Sequence, residues 1–567
     1  MGVPGFFMWL LKKYRNNNII IQKNNLDELN FIDYFLIDTN CLIHPVCYKI
    51  LNNNPTLNDL NTLENKMINA IIEYLEEIIN YVNPRLGTYI AIDGVAPMTK
   101  IKQQRQRRYK SMADKIMWDN IKKKHSKPIN TYWNNSAITP GTKFMDKLHK
   151  KILEWYETKS IIYSSYLTPG EGEHKLLQFI RTNELNERNY LYVIYGLDAD
   201  LIFLSLTTKS NKIFLLRESE HFNTNSKNIL KYVNITLLRK LIVDTIQNYY
   251  KKKYNINVSF DNKRIINDFI FMCYFLGNDF LPHIPSLNIH QNGIEYLIIN
   301  YIDTIYELTF QNSVQIEYLL DGNKINNNFI EKFLYKISLE EDNYLKKNYN
   351  DDYKIAFNGN VDDKYELEIF KIENLQFKIN DPIKLGSDTY EEYRKRYYKY
   401  YYNINEDEIE DLCNELVQNY IYGLKWITLY YFDKNPSWNW YYQFDISPFV
   451  TDIYKYIKYT NFNTIKFTLG KPLKPFIQLL IVLPRQSHYL LPNSLQNYIS
   501  DILKIYPTHF HQDMINKKKH WMAIPILPSI NITTIKNFYK KYYKYFTIEE
   551  INNNTLIDEF NNLSLIV

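Results

Sequence analysis

The sequence predicts an α/β protein built on a central, mostly parallel sheet, and three apolar runs carry that expectation. Tyr34-Phe35-Leu36-Ile37 ends in Asp38, Tyr89-Ile90-Ala91-Ile92 ends in Asp93, and Tyr190-Leu191-Tyr192-Val193-Ile194-Tyr195 leads through Gly196-Leu197 to Asp198-Ala199-Asp200. Unbroken apolarity over four to six residues suits a parallel strand covered on both faces. In open α/β sheets the ligand site lies beyond the C-terminal strand ends, so these acids point to one location.

The 567-residue chain is long enough for two or three domains, or for one large catalytic body with insertions. Hydrophobic content of 45% and charged content of 23% imply an ordinary packed core. The 51 tyrosines and 30 phenylalanines accompany many Asn, Ile and Lys residues, a bias read as AT-rich coding, and so argue little for base stacking. A net charge of +6 is too near balance to imply nucleic-acid binding, so any basic site must be local. Cys41, Cys47, Cys273 and Cys413 show neither zinc nor disulfide spacing. With no signal peptide and no apolar run long enough to span a bilayer, a soluble, intracellular protein without a membrane partner is expected, more cytoplasmic than nuclear.

In chain order, residues 1–30 open with an apolar, helix-like patch, Phe6, Phe7, Trp9, Leu10 and Leu11, before Lys12-Lys13-Tyr14-Arg15. After Asp93 comes a turn and then a helix on which Lys100, Gln104, Arg107 and Arg108 fall at i, i+4, i+7 and i+8, one face. Guanidinium forks and an ammonium beside a carboxylate suit a phosphate next to a metal ion; a solvated basic helix is the plain alternative. Residues 109–160 read as helical and polar, with one break at Ile138-Thr139-Pro140-Gly141-Thr142.

Pro169-Gly170-Glu171-Gly172-Glu173-His174 is a Gly-rich turn that opens a helix. Capping and the helix dipole account for one glutamate there and less well for two flanked by glycines. Asp198 and Asp200 read either as an N-cap with an incidental neighbour or as a paired site. Phe269 to Leu276 is apolar and runs into Gly277-Asn278-Asp279, where Gly and Asn signal a helix stop and an acid is disfavoured by the dipole.

Asp38, Asp93, Glu171, Glu173, Asp198, Asp200 and Asp279 therefore sit at element ends. Buried together they would repel unless cations neutralised them. Oxygen-only ligation favours two Mg²⁺ ions, replaceable by Mn²⁺, over zinc. Such a pair, about 4 Å apart, serves phosphodiester hydrolysis. A two-carboxylate glycosidase would not need so many acids.

The chain resembles the XRN family of 5′-to-3′ exoribonucleases through MGVPGFFMWL, FLIDTNCLIH, AIDGVAPMTKIKQQRQRR, ITPGTKFMDKL, TPGEGEHKLLQFIR, YGLDADLIFLSL and FLGNDFLPHIPSLNI, all in the family's order. Further on, YIYGLKWITLYYFDKNPSWNWYYQFDISP, PFIQLLIVLP and YPTHFHQDMINKKKHWMAIPILP continue it. The resemblance implies a PIN/flap-nuclease-like catalytic domain over 1–310, a variable linker over 311–385, and a mainly helical second conserved region over 386–530 packed on the first. A tail over 531–567 has no readable motif near its end.

It further implies that the named acids hold two catalytic metal ions. Lys100, Gln104, Arg107 and Arg108 would form a pocket for the 5′-monophosphate of single-stranded RNA, too small for a triphosphate or cap. His44 would stack on the terminal base opposite a tryptophan, for which Trp440 is favoured over Trp438. Each cycle would release a nucleoside 5′-monophosphate and advance the strand, giving processive decay of RNA, mRNA included, by a monomer. The chain departs from the family at Gly5 and Met8, where basic residues are usual, and it reads as a compact member without long C-terminal extensions. A flap or DNA nuclease of the same fold and a non-catalytic RNA-binding scaffold are the alternative readings. Trp9, Trp155 and Trp426 are expected in the core, and His174 and His283 are expected to be hydrogen-bonded rather than catalytic.

Overall fold

The computed structural model describes residues 3–23, 26–54, 57, 59–129, 133–156, 161–196, 198–218, 230–312, 315–348, 359, 362–375 and 381–558, with backbone alone for 310–312. Its centre is a sheet of β1 (Ile20–Ile21), β2 (Tyr34–Asp38), β3 (Gly87–Ala91), β4 (Ile161–Ser164), β5 (Tyr192–Tyr195), β6 (Ile213–Glu218) and β7 (Leu230–Asn234). The strand order is β1-β7-β6-β5-β2-β3-β4. The strands from β4 across to β6 pair in parallel, and β7 and β1 add an antiparallel margin. The three runs read from sequence are β5, β2 and β3, the middle three of the five strands that pair in parallel. Of the remaining four, β1 and β4 are brief, whereas β6, six residues ending in Arg217 and Glu218, and β7 were not singled out from sequence.

Alternation along each strand divides the core. Leu36, Tyr89, Ala91, Tyr192, Ile194 and Leu215 face one apolar layer. Phe35, Ile37, Ile90, Val193, Tyr195 and Phe214 face the other. Helices Asn40–Asn53, Leu60–Val82 and Lys143–Tyr156 supply buried residues to the second layer. The first layer takes Phe6–Lys13, Gly172–Leu185, Ala199–Thr207, Ile235–Tyr254 and Asn262–Cys273, then continues without interruption into Asn327–Asn348, Ile409–Phe432 and Val450–Ile457. One apolar core therefore joins Val3 to Phe462.

A third cluster seats Val95, Ala96, Met98 and Ile101, at the start of helix Met98–Lys124, on Pro475–Val482 and on Ile532–Tyr542. The break expected at 138–142 is wider. The basic helix stops at Lys124, and regular helix resumes at Lys143. Between them the backbone turns on its own side chains: Asn134 accepts from Ser136 N–H, and Gly141 takes φ +92°. Among the described residues, no helix is long and apolar enough to cross a membrane.

Candidate metal and phosphate site

β2 ends at Asp38, and its last residues pair with Ala91 of β3 on one side and Tyr195 of β5 on the other. Strand order thus changes direction beside Asp38, with β3 to one side and β5 to the other, the place where open α/β sheets bind ligands. Two turns are laced together there. Gly94 N–H donates to Gly170 O at 2.9 Å, and Gly170 N–H donates to Val95 O at 2.9 Å. A side chain at Gly94 would put its Cβ 1.8 Å from Thr168 O, so only glycine permits this approach. It brings Glu171, the N-cap of helix Gly172–Leu185, against the end of β3. Lys175 fastens the helix further by donating to Ile92 O at 2.7 Å and Ser165 O at 2.9 Å.

The acids then meet. Asp93 accepts from Gly172 N–H at 2.6 Å and from Asn40 Nδ2 at 2.9 Å. A Cβ on Gly172 would lie 2.9 Å from Asp38 Oδ1 and 3.4 Å from Asp93 Oδ1, so all three crowd one point. Cys41 Sγ donates to Asp38 Oδ2 at 2.9 Å, whereas Asp38 Oδ1 is buried with no hydrogen-bond partner among the described residues. Asp198 stands at the N-cap position of helix Ala199–Thr207 without a side-chain capping bond, and Asp200 lies buried in its first turn. Asp279 stands beyond Gly277, whose φ of +84° ends the preceding helical segment, rather than in a helix's last turn. The dipole argument against an acid there therefore lapses.

Lys100 enters this cluster from the first turn of the basic helix. Its Nζ is 2.5 Å from Glu171 Oε2 and 2.8 Å from Asp279 Oδ2. Gln103 Nε2 also reaches Asp279 Oδ1 at 3.3 Å. Two tyrosines of helix Ile409–Phe432 complete the shell: Tyr430 donates to Glu171 Oε1 at 2.8 Å, and Tyr431 donates to Asp200 Oδ1 at 2.9 Å.

Burial pushes the Asp38 carboxyl up to about 8, with the charges of Asp93 and Asp198 adding to it. Burial and Asp279 hold Asp200 up, at about 6, and burial and Asp200 raise Glu173 far above the carboxylate range. Asp93 is raised by burial and by Glu171. For Asp279, burial is outweighed by Lys100 and Arg107, which hold it below the usual range. A cluster this short of positive charge, with an orphaned carboxylate oxygen at its centre, fits hard divalent cations. Glu171, Glu173 and His174 also place ligand atoms within 4.8 Å of one another.

His174 departs from expectation. Its Nε2 is buried without a hydrogen-bond partner among the described residues, and its ring packs on Tyr430 with centroids 3.7 Å apart. The tight fit against that phenol ring takes the place of the expected bond. Trp426 is fully buried as expected, and Trp9 packs against the same core while its Nε1 donates to Glu295.

Of the basic face, Lys100 is drawn into the acids while the others continue along the helix. Gln104 accepts from Gln478 at 3.2 Å; Arg108 donates to Thr139 Oγ1 at 2.5 Å, and its Nε is buried without a partner among the described residues. Arg107 is exposed. Burial, then Arg107, lowers Arg108 to about 9, so it remains cationic near neutrality. His44 is lowered to about 4 by burial and by the charges of Arg107 and Arg108, which places it beside that pair, and it also feels Asp198. Trp440 stacks on Trp426 at 5.9 Å and meets Phe467 edge-on; among the described residues it makes no ring contact with His44. Tyr430, Tyr431, Asn40, Gln103 and Gln478 escaped the sequence reading, since nothing local marks a phenol or amide that is matched to an acid only by folding.

The family description "XRN 5'-3' exonuclease N-terminus" matches residues 1–219, and "Xrn1 helical domain" matches residues 259–368 and 360–564. The chain is 28% identical to 5'-3' exoribonuclease 2 of Debaryomyces hansenii, covering 99% of this chain and 72% of that protein. It is 30% identical to human 5'-3' exoribonuclease 1, covering 94% of this chain but 33% of the human protein, and 26% identical to 5'-3' exoribonuclease 1 of Schizosaccharomyces pombe, covering 98% and 50%. A solved catalytic core of Rad2 in complex with DNA substrate shares 12% identity at a TM-score of 0.28 over 73% of this chain and 99% of that one, too distant to bear weight. With both family segments matched in order across nearly the whole sequence, the chain belongs to the XRN family of 5′-to-3′ exoribonucleases.

Proposed function

We propose that this protein is a processive 5′-to-3′ exoribonuclease that acts, as a cytoplasmic monomer, on single-stranded RNA bearing a 5′-monophosphate. It releases nucleoside 5′-monophosphates in RNA decay, mRNA included. The observation that carries this reading is the meeting of Asp38, Asp93 and Gly172 at one point, with Asp38 Oδ1 buried and unpartnered among the described residues. Asp38, Asp93, Glu171, Glu173, Asp198, Asp200 and Asp279 would hold two Mg²⁺ or Mn²⁺ ions. When bound, such ions supply an activated water and charge stabilisation of the leaving oxygen.

The chain's own side chains do the rest. Gln104, Arg107 and Arg108 receive the terminal phosphate, for which guanidinium groups give bidentate recognition. Arg108 brings to that face a buried Nε that has no partner among the described residues. His44, neutral at physiological pH, offers a ring rather than a charge, suited to stacking that tolerates any base. Trp440 is the proposed opposing ring. Lys100 keeps Glu171 and Asp279 from repelling each other and lies at the junction of acids and phosphate face.

The test is degradation of one 3′-labelled RNA carrying a 5′-monophosphate, 5′-triphosphate or 5′-hydroxyl, with Mg²⁺ or with EDTA, alongside Asp198→Ala. Mg²⁺-dependent loss of the monophosphate RNA alone, abolished by the substitution, is expected. Equal cleavage of all three would overturn the end-binding reading, and RNA binding without cleavage would make the protein a scaffold.

A further inference from the structure

The long helix Ile409–Phe432 contributes no acid to the site, yet two consecutive residues of it touch two different acids. Tyr430 Oη donates to Glu171 Oε1 at 2.8 Å, and Tyr431 Oη donates to Asp200 Oδ1 at 2.9 Å. Neighbouring residues on a helix point about 100° apart, so this double contact requires the helix to lie against both the Glu171 turn and the Ala199–Thr207 helix. It does so under constraint. Both tyrosines are buried, the His174 ring packs on Tyr430 at 3.7 Å, and Trp426 stacks on Tyr430 at 4.6 Å from one turn earlier. Arg181, on the helix that Glu171 caps, donates to Tyr431 O and at 2.6 Å to Asp433 O.

We propose that Tyr430 and Tyr431 are positioning residues for the metal centre. Each phenol fixes one carboxylate oxygen and thereby sets the direction in which the other faces. A carboxylate has two oxygens that compete for any cation; tethering one with a donor leaves the second as the defined ligand. Glu171 shows the division: Oε1 takes the phenol and Oε2 the cation, here the Lys100 ammonium. Asp200 takes the phenol on Oδ1. Because the phenols come from residues 409–432 and the acids from residues 171–200, metal loading depends on the helical half being docked. This inference rests on the proposed metal-binding role of the acids.

The experiment measures Mn²⁺ affinity by electron paramagnetic resonance of free Mn²⁺ in wild type, Tyr430→Phe, Tyr431→Phe and the double variant, in the full chain. Tyr420→Phe is the control: it is on the same helix but its phenol donates to a backbone carbonyl, Pro282 O, rather than to a carboxylate. Thermal unfolding and RNA binding in EDTA are recorded on every protein. Loss of a second-sphere hydrogen bond weakens metal affinity about 10- to 100-fold. The expected result is such a loss in Tyr430→Phe and Tyr431→Phe, with RNA binding in EDTA and the control unchanged. Wild-type Mn²⁺ affinity in both variants overturns the inference, as does failure of either to fold while the control folds. Absence of Mn²⁺ binding in wild type would instead overturn the metal reading itself.

Discussion

Lys100 Nζ lies 2.8 Å from Asp279 Oδ2, joining the first turn of the basic helix to a loop that follows it by almost 180 residues. The same ammonium meets Glu171, and burial, which disfavours its charge, is outweighed by these two acids. It is the internal counter-charge of the cluster.

Lys100→Gln would remove that charge and leave two carboxylates facing each other. Breaking a buried ion pair costs about 3–5 kcal/mol. Denaturant unfolding in EDTA is expected to show a loss of that order, with much of it restored by millimolar Mg²⁺. An equal loss in both buffers would mean that Lys100 matters for packing alone.

Gly172→Ala would set a methyl 2.9 Å from Asp38 Oδ1 and 3.2 Å from Ala91 O. Backbone and carboxylate would have to part, at about 1–3 kcal/mol. Mg²⁺-dependent cleavage is expected to fall far more than stability does, and wild-type activity in this variant would show that the acids need not approach so closely.

Arg107→Ala removes an exposed guanidinium from the proposed phosphate face. A charge-assisted hydrogen bond contributes about 1.5–3 kcal/mol, so KM for monophosphorylated RNA should rise about 10- to 100-fold. KM for 5′-hydroxyl RNA should stay put. Parallel rises for both ends would assign Arg107 to the general RNA path.

His44, with its folded-state value near 4 against an ordinary 6.5, is neutral in the fold where the unfolded chain takes a proton. It therefore lends stability at higher pH that is lost as pH falls from about 6.5 toward 4. His44→Phe should soften that acid loss by up to about 3 kcal/mol, read as the difference between the two proteins' stability curves, while leaving stability at pH 8 nearly unchanged. Identical curves would place His44 in contact with water.

The sheet's centre was legible because β2, β3 and β5 are apolar runs that each lead toward an acid. A two-residue strand such as Ile20–Ile21 carries no such period and becomes visible only through its partner, Val233 and Tyr232. Helical spacing placed Lys100 on the same face as Gln104, Arg107 and Arg108 but said nothing of depth along the axis. Its seat in the first turn, nearest the strand ends, is what turns it toward the acids rather than along the face. Tyr430 and Tyr431 were unreadable for another reason: a phenol in an apolar helix looks like core until the acid from some 250 residues earlier is beside it.

The apolar core that runs from Val3 to Phe462 has a consequence for biosynthesis. As the chain leaves the ribosome, the sheet and all the acids are translated before residues 409–432 exist, so the half-made nuclease lacks the phenols that brace Glu171 and Asp200. On the proposed metal-binding role of these acids, the site would be completed only once most of the polypeptide is out.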